Sequence, residues 1–184
     1  MAQRLDKILV IDVEATCWDG DPPAGQTSEI IEIGLCVLDV ATGERSAPRA
    51  IMVKPQRSTM SEFCIQLTTI TPEMLVDGMD FSAACALLRE EYRSHQRTWA
   101  SYGDYDRLQF VKQCEQWDIP YPFGPSHINV KNLLALQFGL KREVGLGRAT
   151  RLLGLPFEGT AHRGVDDAWN IAAVLARVLL GHNR

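Results

Sequence analysis

The chain has 184 residues and a mass of 20.5 kDa, with 46% hydrophobic and 23% charged residues. These are the proportions of an ordinary globular domain and exclude disorder, collagen and coiled coil. Nineteen Lys and Arg against 23 Asp and Glu give a formal charge of −4, which weighs against a protein that coats long tracts of nucleic acid.

The length fits one domain over residues 1–184, with a core spanning about 7–180. No apolar run approaches the ~20 residues of a membrane span. The charged start, Met1–Lys7, shows no signal-peptide cleavage pattern. Lys7–Asp12 (KILVID) reads as an apolar strand ending on a carboxylate, and Asp19–Gln26 (DGDPPAGQ) as a loop. Glu29–Asp39 (EIIEIGLCVLD) is a long strand, Val40–Glu44 a turn, and Ala50–Val53 continues as a third strand. The pattern then becomes helical over Ser82–Ser94. Thr98–Tyr102 follows as a strand, and Asp106–Trp117 as a helix with Leu108, Phe110, Val111 and Cys114 on one stripe. Tyr121–Ser126 is loop, and Ile128–Val130 a short fifth strand. Helices follow at Leu133–Phe138, Arg148–Leu153 and Asp166–Leu180. Strands first, then strands alternating with helices, give an α/β chain with a mixed central β-sheet flanked by α-helices.

The five cysteines are widely spaced and contain no Cys-x-x-Cys pair. Such free thiols point to a reducing, cytoplasmic setting. Cys36, Cys85 and Cys114 read as small buried hydrophobes. Cys17 and Cys64 are open to a nucleophilic role, although no dedicated base lies near either in sequence.

Three acidic features carry the chemistry. Asp12 and Glu14 lie two apart at the end of the first strand, which puts both on one face. Asp104 and Asp106 follow the fourth strand, and His162 precedes Asp166-Asp167 at the head of the last helix. Taken singly, each has an ordinary explanation: a solvated strand end, a helix N-cap, acids at a helix N-terminus. Taken together, they sit where strand ends and helix starts of one sheet can meet. Carboxylates converging there raise one another's pKa unless cations intervene. Hard divalent cations choose such oxygen ligands, and two ions ~3.5–4 Å apart form the usual clamp for phosphodiester cleavage.

Asp12-Val13-Glu14-Ala15-Thr16-Cys17, then Tyr105-Asp106, then His162 with Asp167 five positions on, resembles the DEDDh branch of the DnaQ-like 3′–5′ exonucleases. Within it the chain is most similar to the Eri-type, KapD-like subgroup. That resemblance rests also on Glu29-Ile30-Ile31-Glu32-Ile33-Gly34, Phe63-Cys64 with Leu67-Thr68 and Ile70-Thr71, and His162-Arg163-Gly164-Val165-Asp166-Asp167-Ala168 with Asn170-Ile171-Ala172. The resemblance implies a ribonuclease H-like fold and a metal-dependent 3′–5′ exonuclease. Such an enzyme releases nucleoside 5′-monophosphates from 3′ ends of RNA or other single-stranded nucleic acid. It implies two Mg²⁺ or Mn²⁺ ions held by Asp12, Glu14, Asp106 and Asp167, and His162 as general base. It also implies substrate contacts from Ala15, Thr16, Phe63, Tyr105 and His162. The aromatic-Asp order selects Asp106 over Asp104, and the spacing from His162 selects Asp167 over Asp166. The implied partners are single-stranded RNA or DNA 3′ ends. No membrane is implied, and a homodimer is compatible. A DNA-directed exonuclease and a non-catalytic, protein-binding regulator of the same subgroup stand as alternatives.

Two further features bear on substrate binding. Trp18 is placed to reach the site or to pack on the sheet edge, while Trp99, Trp117 and Trp169 read as packing residues. Lys131, Lys141, Arg142, Arg148, Arg151 and Arg163 share their stretch with only Glu143 and Glu158, a local charge of +4. That stretch is either a phosphate track or a solvated helical face. With the four metal-type carboxylates set aside, 19 Lys and Arg face 19 remaining acids, so the acidity is concentrated in one place.

Overall fold

A computed structural model describes residues 4–181; Met1–Gln3 of the charged N-terminal stretch lie outside the described residues. β1 (Arg4–Ala15) pairs antiparallel with β2 (Ile30–Asp39), which forms a hairpin with β3 (Arg45–Met52). On its other edge β1 pairs in parallel with β4 (Arg97–Ser101), and β5 (His127–Asn129) lies parallel beyond it. The sheet order is β3-β2-β1-β4-β5.

Strand alternation divides the core into two layers. Leu9, Ile11 and Val13 of β1 join Ile33 and Leu35 of β2 against α2 (Phe81–Glu91) and α3 (Tyr105–Trp117), where Phe81, Leu88 and Phe110 are buried. Ile8, Val10, Cys36 and Leu38 point the other way, onto α6 (Gly164–Leu180). α4 (Val130–Gln137) and α5 (Leu146–Leu152) lie beside it. α6 buries Ile171, Val174, Leu175 and Val178 against this face. Each such side chain is worth roughly 1.5–3 kcal/mol of apolar burial.

That second face changes character along the strands. Beyond Ile8 and Val10, the same face of β1 carries Asp12 and Glu14. On β2 the Leu38 and Cys36 row runs on to Gly34 and Glu32. The register sets Asp12 opposite Gly34 and Glu14 opposite Glu32. The first turn of α6 comes down on Gly34. A Cβ at that position would overlap the Gly164 carbonyl and the Val165 nitrogen. The apolar half of the face is therefore roofed by the helix, and the carboxylates begin where the roof ends.

The expected order of strands and helices matches the observed one, with local differences: β3 begins at Arg45, five residues before the expected Ala50, and α2 ends at Glu91, short of Ser94. β1 does not stop at Asp12, because Val13 and Ala15 keep the buried alternation going. The short strand expected over Ile128–Val130 ends one residue earlier. There the Asn129 side chain accepts the Asn132 N–H and starts α4. A seven-residue helix, α1 (Glu62–Thr68), has no counterpart in the sequence reading. Its Phe, Ile and Thr content is poor helix material. It is initiated by Ser61, whose hydroxyl accepts the Cys64 N–H at 3.0 Å and donates to the Cys17 carbonyl at 2.6 Å.

Candidate active site

Asp12 and Glu14 are delivered by the end of β1, Asp106 by the first turn of α3, and His162 and Asp167 by the approach to α6 and its first turn. β4 pairs with β1 only as far as Val10, so the Val13 N–H beyond it has no strand partner on that side. Asp106 Oδ1 accepts that N–H at 2.9 Å, which ties the start of α3 to the strand bearing Asp12 and Glu14. Asp167 Oδ2 accepts the His162 backbone N–H at 2.7 Å. His162 has φ +62, a left-handed conformation uncommon outside glycine, and its exposed ring projects beside the acids. Ligand atoms of Glu14, His162 and Asp167 all lie within 4.8 Å of one another.

The electrostatics follow from this crowding. Burial first, then the charges of Asp106, Asp167, Glu14 and Glu32, hold the Asp12 carboxyl well above the usual carboxylate range. Burial and the charges of Asp167, Glu32 and Asp106 push Glu14 up to about 8, against a lowering pull from Arg163. Asp106 and Asp167 are raised to about 6, chiefly by burial, with the bonds from the Val13 and His162 N–H groups opposing. Four carboxylates that resist ionising together, beside one imidazole, form an oxygen-rich donor set that Arg163 alone does not neutralise.

The structure separates the competing acids. Asp104 is exposed and turns outward, its Oδ1 accepting from Arg107 Nε at 3.2 Å and its Oδ2 from Asn129 Nδ2 at 3.3 Å. Asp166 Oδ2 accepts the Thr160 N–H at 2.8 Å and braces the loop before α6. Phe63 on α1 is 40% exposed and Tyr105 at the start of α3 is 56% exposed. α1 is fastened to the chain just after Glu14 by the Ser61–Cys17 bond and by Cys64 Sγ donating to the Ala15 carbonyl. Ala15 is buried, and the buried Thr16 hydroxyl accepts the Glu29 N–H at 2.9 Å. Thr16 thus has its side chain committed to the fold.

Burial pushes the Cys17 thiol up to about 12, which removes it as a thiolate nucleophile near neutral pH. Trp99 is fully buried and stacked on Phe123 at 4.1 Å, and Trp169 lies under the Arg45 guanidinium at 4.2 Å. Trp117 meets Phe81 edge-on. In the basic stretch, Lys131 pairs with Glu143 and Arg163 turns inward to Glu32. Lys141, Arg142, Arg148 and Arg151 are exposed. Arg151, with Thr150, Phe157, His162 and Asp167, lines a cavity of about 410 Å³ beside the acids.

Two contributors escape residue-by-residue reading. Glu32 is completely buried on β2, opposite Glu14, and the sequence shows it only as one letter of an apolar strand. Its one visible signal is a second carboxylate at alternating spacing from Gly34 in a run that otherwise buries hydrophobic side chains. Glu29, also buried, accepts the Gln56 and Arg57 N–H groups at 2.7 and 2.9 Å and holds the loop leading to α1.

A family profile described as Exonuclease (RNase_T) matches residues 9–175. The human 3′-5′ exoribonuclease 1 is 31% identical over 95% of this chain, which covers 52% of that protein, so the chain spans about half its length. The nuclease domain of 3′hExo, a DEDDh family member bound to rAMP, superposes with a TM-score of 0.88. It is 27% identical, and the match covers 99% of this chain and 96% of that one. A 3′-exonuclease solved in 3′-end specific recognition of a histone mRNA stem-loop gives a TM-score of 0.85 at 28% identity, covering 98% of this chain and 66% of that one. The mixed five-stranded sheet with its flanking helices is thus the ribonuclease H-like fold of the DEDDh exonucleases.

Proposed function

The chain belongs to the exonuclease family whose profile it matches over residues 9–175, and from that premise we propose that it is a metal-dependent 3′–5′ exonuclease acting on single-stranded RNA 3′ ends. The reading is supported by ligand atoms of Glu14, His162 and Asp167 lying within 4.8 Å of one another, and by the charges of Asp106 and Asp167 acting on both Asp12 and Glu14. A binding module gains nothing from so costly a cluster. A phosphodiesterase needs it to hold cations.

The donor set fits two divalent ions of the Mg²⁺ or Mn²⁺ kind. It is built of carboxylate oxygens, and its mutual repulsion is what a bound cation relieves. Asp12, Glu14, Asp106 and Asp167 would hold them, and ions bound there would supply Lewis acidity toward water and the departing 3′ oxygen. His162, at the rim and within reach of Glu14 and Asp167, accepts the proton of the attacking water through a ring nitrogen. Asp167 contributes twice, since its Oδ2 also fixes the backbone of the residue that carries the base. Phe63 and Tyr105 offer exposed rings on which the terminal bases stack, at roughly 1–3 kcal/mol per base without sequence readout. The exposed Arg148 and Arg151 give the phosphates upstream of the cut a cationic path. One catalytic domain over the chain is sufficient for all of these parts.

The test uses 5′-labelled single-stranded RNA and DNA of one sequence, with Mg²⁺, Mn²⁺ or chelator. The expected result is stepwise shortening from the 3′ end with release of nucleoside 5′-monophosphates, faster on RNA and abolished by chelator. Faster shortening of DNA would replace the substrate class. Shortening that survives chelator would overturn the metal-dependent mechanism, and no cleavage of either polymer would favour the non-catalytic regulator.

A further inference from the structure

Glu32 belongs by position to the acidic cluster and by hydrogen bonding to something else. It is completely buried, stands opposite Glu14, and its charge is felt by Asp12, Glu14 and Asp167. Both its oxygens are nevertheless taken by donors from the head of α6. Oε2 accepts Arg163 Nε at 3.0 Å, and Oε1 accepts the Val165 N–H at 3.2 Å. Arg163 and Val165 flank Gly164, the residue whose backbone rests on Gly34 and the Asp12 carbonyl. One side of Arg163 is His162, and Asp167 follows one turn later. The segment between His162 and Asp167 is therefore fastened to β2 at two adjoining points, a glycine contact and a charged clamp.

We infer that the Glu32–Arg163 pair is a positioning device for His162 and Asp167, and that Glu32 is not a fifth metal ligand. The inference rests on the exonuclease reading above. An unclamped carboxylate here would compete for the same cations. A clamped one anchors the helix N-terminus, whose exposed N–H groups favour an anion. Arg163 is accordingly withdrawn from the surface cations that meet phosphate, even though it lies next to the base in sequence. The buried pair also explains a cost: removing one partner strands the other in the interior.

The test compares Glu32→Gln, Arg163→Met, Arg163→Lys and the Glu32→Gln/Arg163→Met double variant in the full chain. Glutamine keeps an acceptor for one of the two donors, sets an NH2 against the other and removes the charge. Expected is a kcat lower by roughly 10–100-fold with KM for a labelled RNA within about twofold, the size typical of losing a supporting contact behind a site. Arg163→Lys should recover part of that loss, and the double variant should lose no more than the worse single one. The number of Mn²⁺ sites, read by titration and paramagnetic resonance, should be unchanged. Hydrogen exchange should quicken over residues 160–167 alone. Loss of a Mn²⁺ site in Glu32→Gln would make Glu32 a ligand and overturn the inference. So would full activity of the variants beside an active wild type. Global quickening of exchange would reduce the pair to a stability role and overturn it too. A wild type that cleaves nothing overturns the exonuclease reading itself, and the inference with it.

Discussion

Asp12 is the residue on which the cluster weighs most. Its carboxyl is held up by burial and by four neighbouring acids, so in the metal-free chain it destabilises the fold whenever it ionises. Replacing Asp12 by Asn should raise the melting temperature in chelator while abolishing most nuclease activity and the stabilisation by Mg²⁺. A lower melting temperature in chelator would mean that the carboxylate is not under strain. His162→Ala should behave differently. The ring stands at the exposed rim, and the His162 backbone, not its side chain, bonds to Asp167. Turnover should fall by the roughly 10²–10⁴-fold that a general base supplies. Mg²⁺ should still raise the melting temperature as it does in the wild type. Loss of that response would place the imidazole among the metal ligands. At this scale the candidate acids stand out in the sequence only jointly, by their placement at strand ends and helix starts of one sheet and by the resemblance, since each alone has an ordinary explanation. Glu32 does not stand out, because its cost is offset by Arg163, 131 positions away, and no local pattern records such a pair.

The elements matter through where they end. β4 stops short of Val13, α6 starts over Gly34, and α1 starts at Ser61 beside Cys17; each end leaves polar backbone that a site residue or its neighbour satisfies. The long strands and α6 could be read from hydrophobic period alone, since packing on one face dictates their composition. α1 could not, because its seven residues depend on the Ser61 cap and on contacts of Cys64 with the sheet, not on helix propensity. The landing of α6 on Gly34 is open to a direct test. A methyl group at Gly34 would strike the backbone of Gly164 and Val165, which cannot yield as a flexible side chain can. Gly34→Ala should therefore cost at least the ~1–3 kcal/mol typical of overpacking and displace the head of α6. Activity should fall further than stability does, because Asp167 and His162 ride on that turn. Equal and small losses in denaturant melts and in kcat would show that the close approach is incidental. Ser61→Ala should cost about 1 kcal/mol as a lost cap and raise KM more than it lowers kcat, since α1 carries Phe63 but none of the acids.

At the scale of the whole molecule the formal charge of −4 resolves into a balanced remainder and one acidic centre. That division predicts how stability depends on pH and metal together. Asp106 and Asp167 sit near 6, Glu14 near 8, and Asp12 well above the ordinary carboxylate range in the folded, metal-free chain. In the unfolded chain the same groups titrate at about 4. Between those limits the folded state binds more protons than the unfolded state, so stability falls as pH rises from about 4 to about 8. This is opposite to the usual contribution of salt-bridged carboxylates, whose folded pKa values are depressed. Divalent cations take the place of the protons. Saturating Mg²⁺ should therefore flatten the slope and stabilise most at the alkaline end. At a free concentration 100 times the Kd, one site adds about 2.7 kcal/mol, roughly 5–11 °C for a chain of this size. Thermal melts at pH 5, 6.5 and 8, in chelator and in Mg²⁺, read the whole prediction. A melting temperature in chelator that is level or rises from pH 5 to 8 would mean the carboxylates do not share one buried site. A Mg²⁺ shift as large at pH 5 as at pH 8 would mean that the ions bind elsewhere, because only at the cluster must each ion displace protons in order to bind.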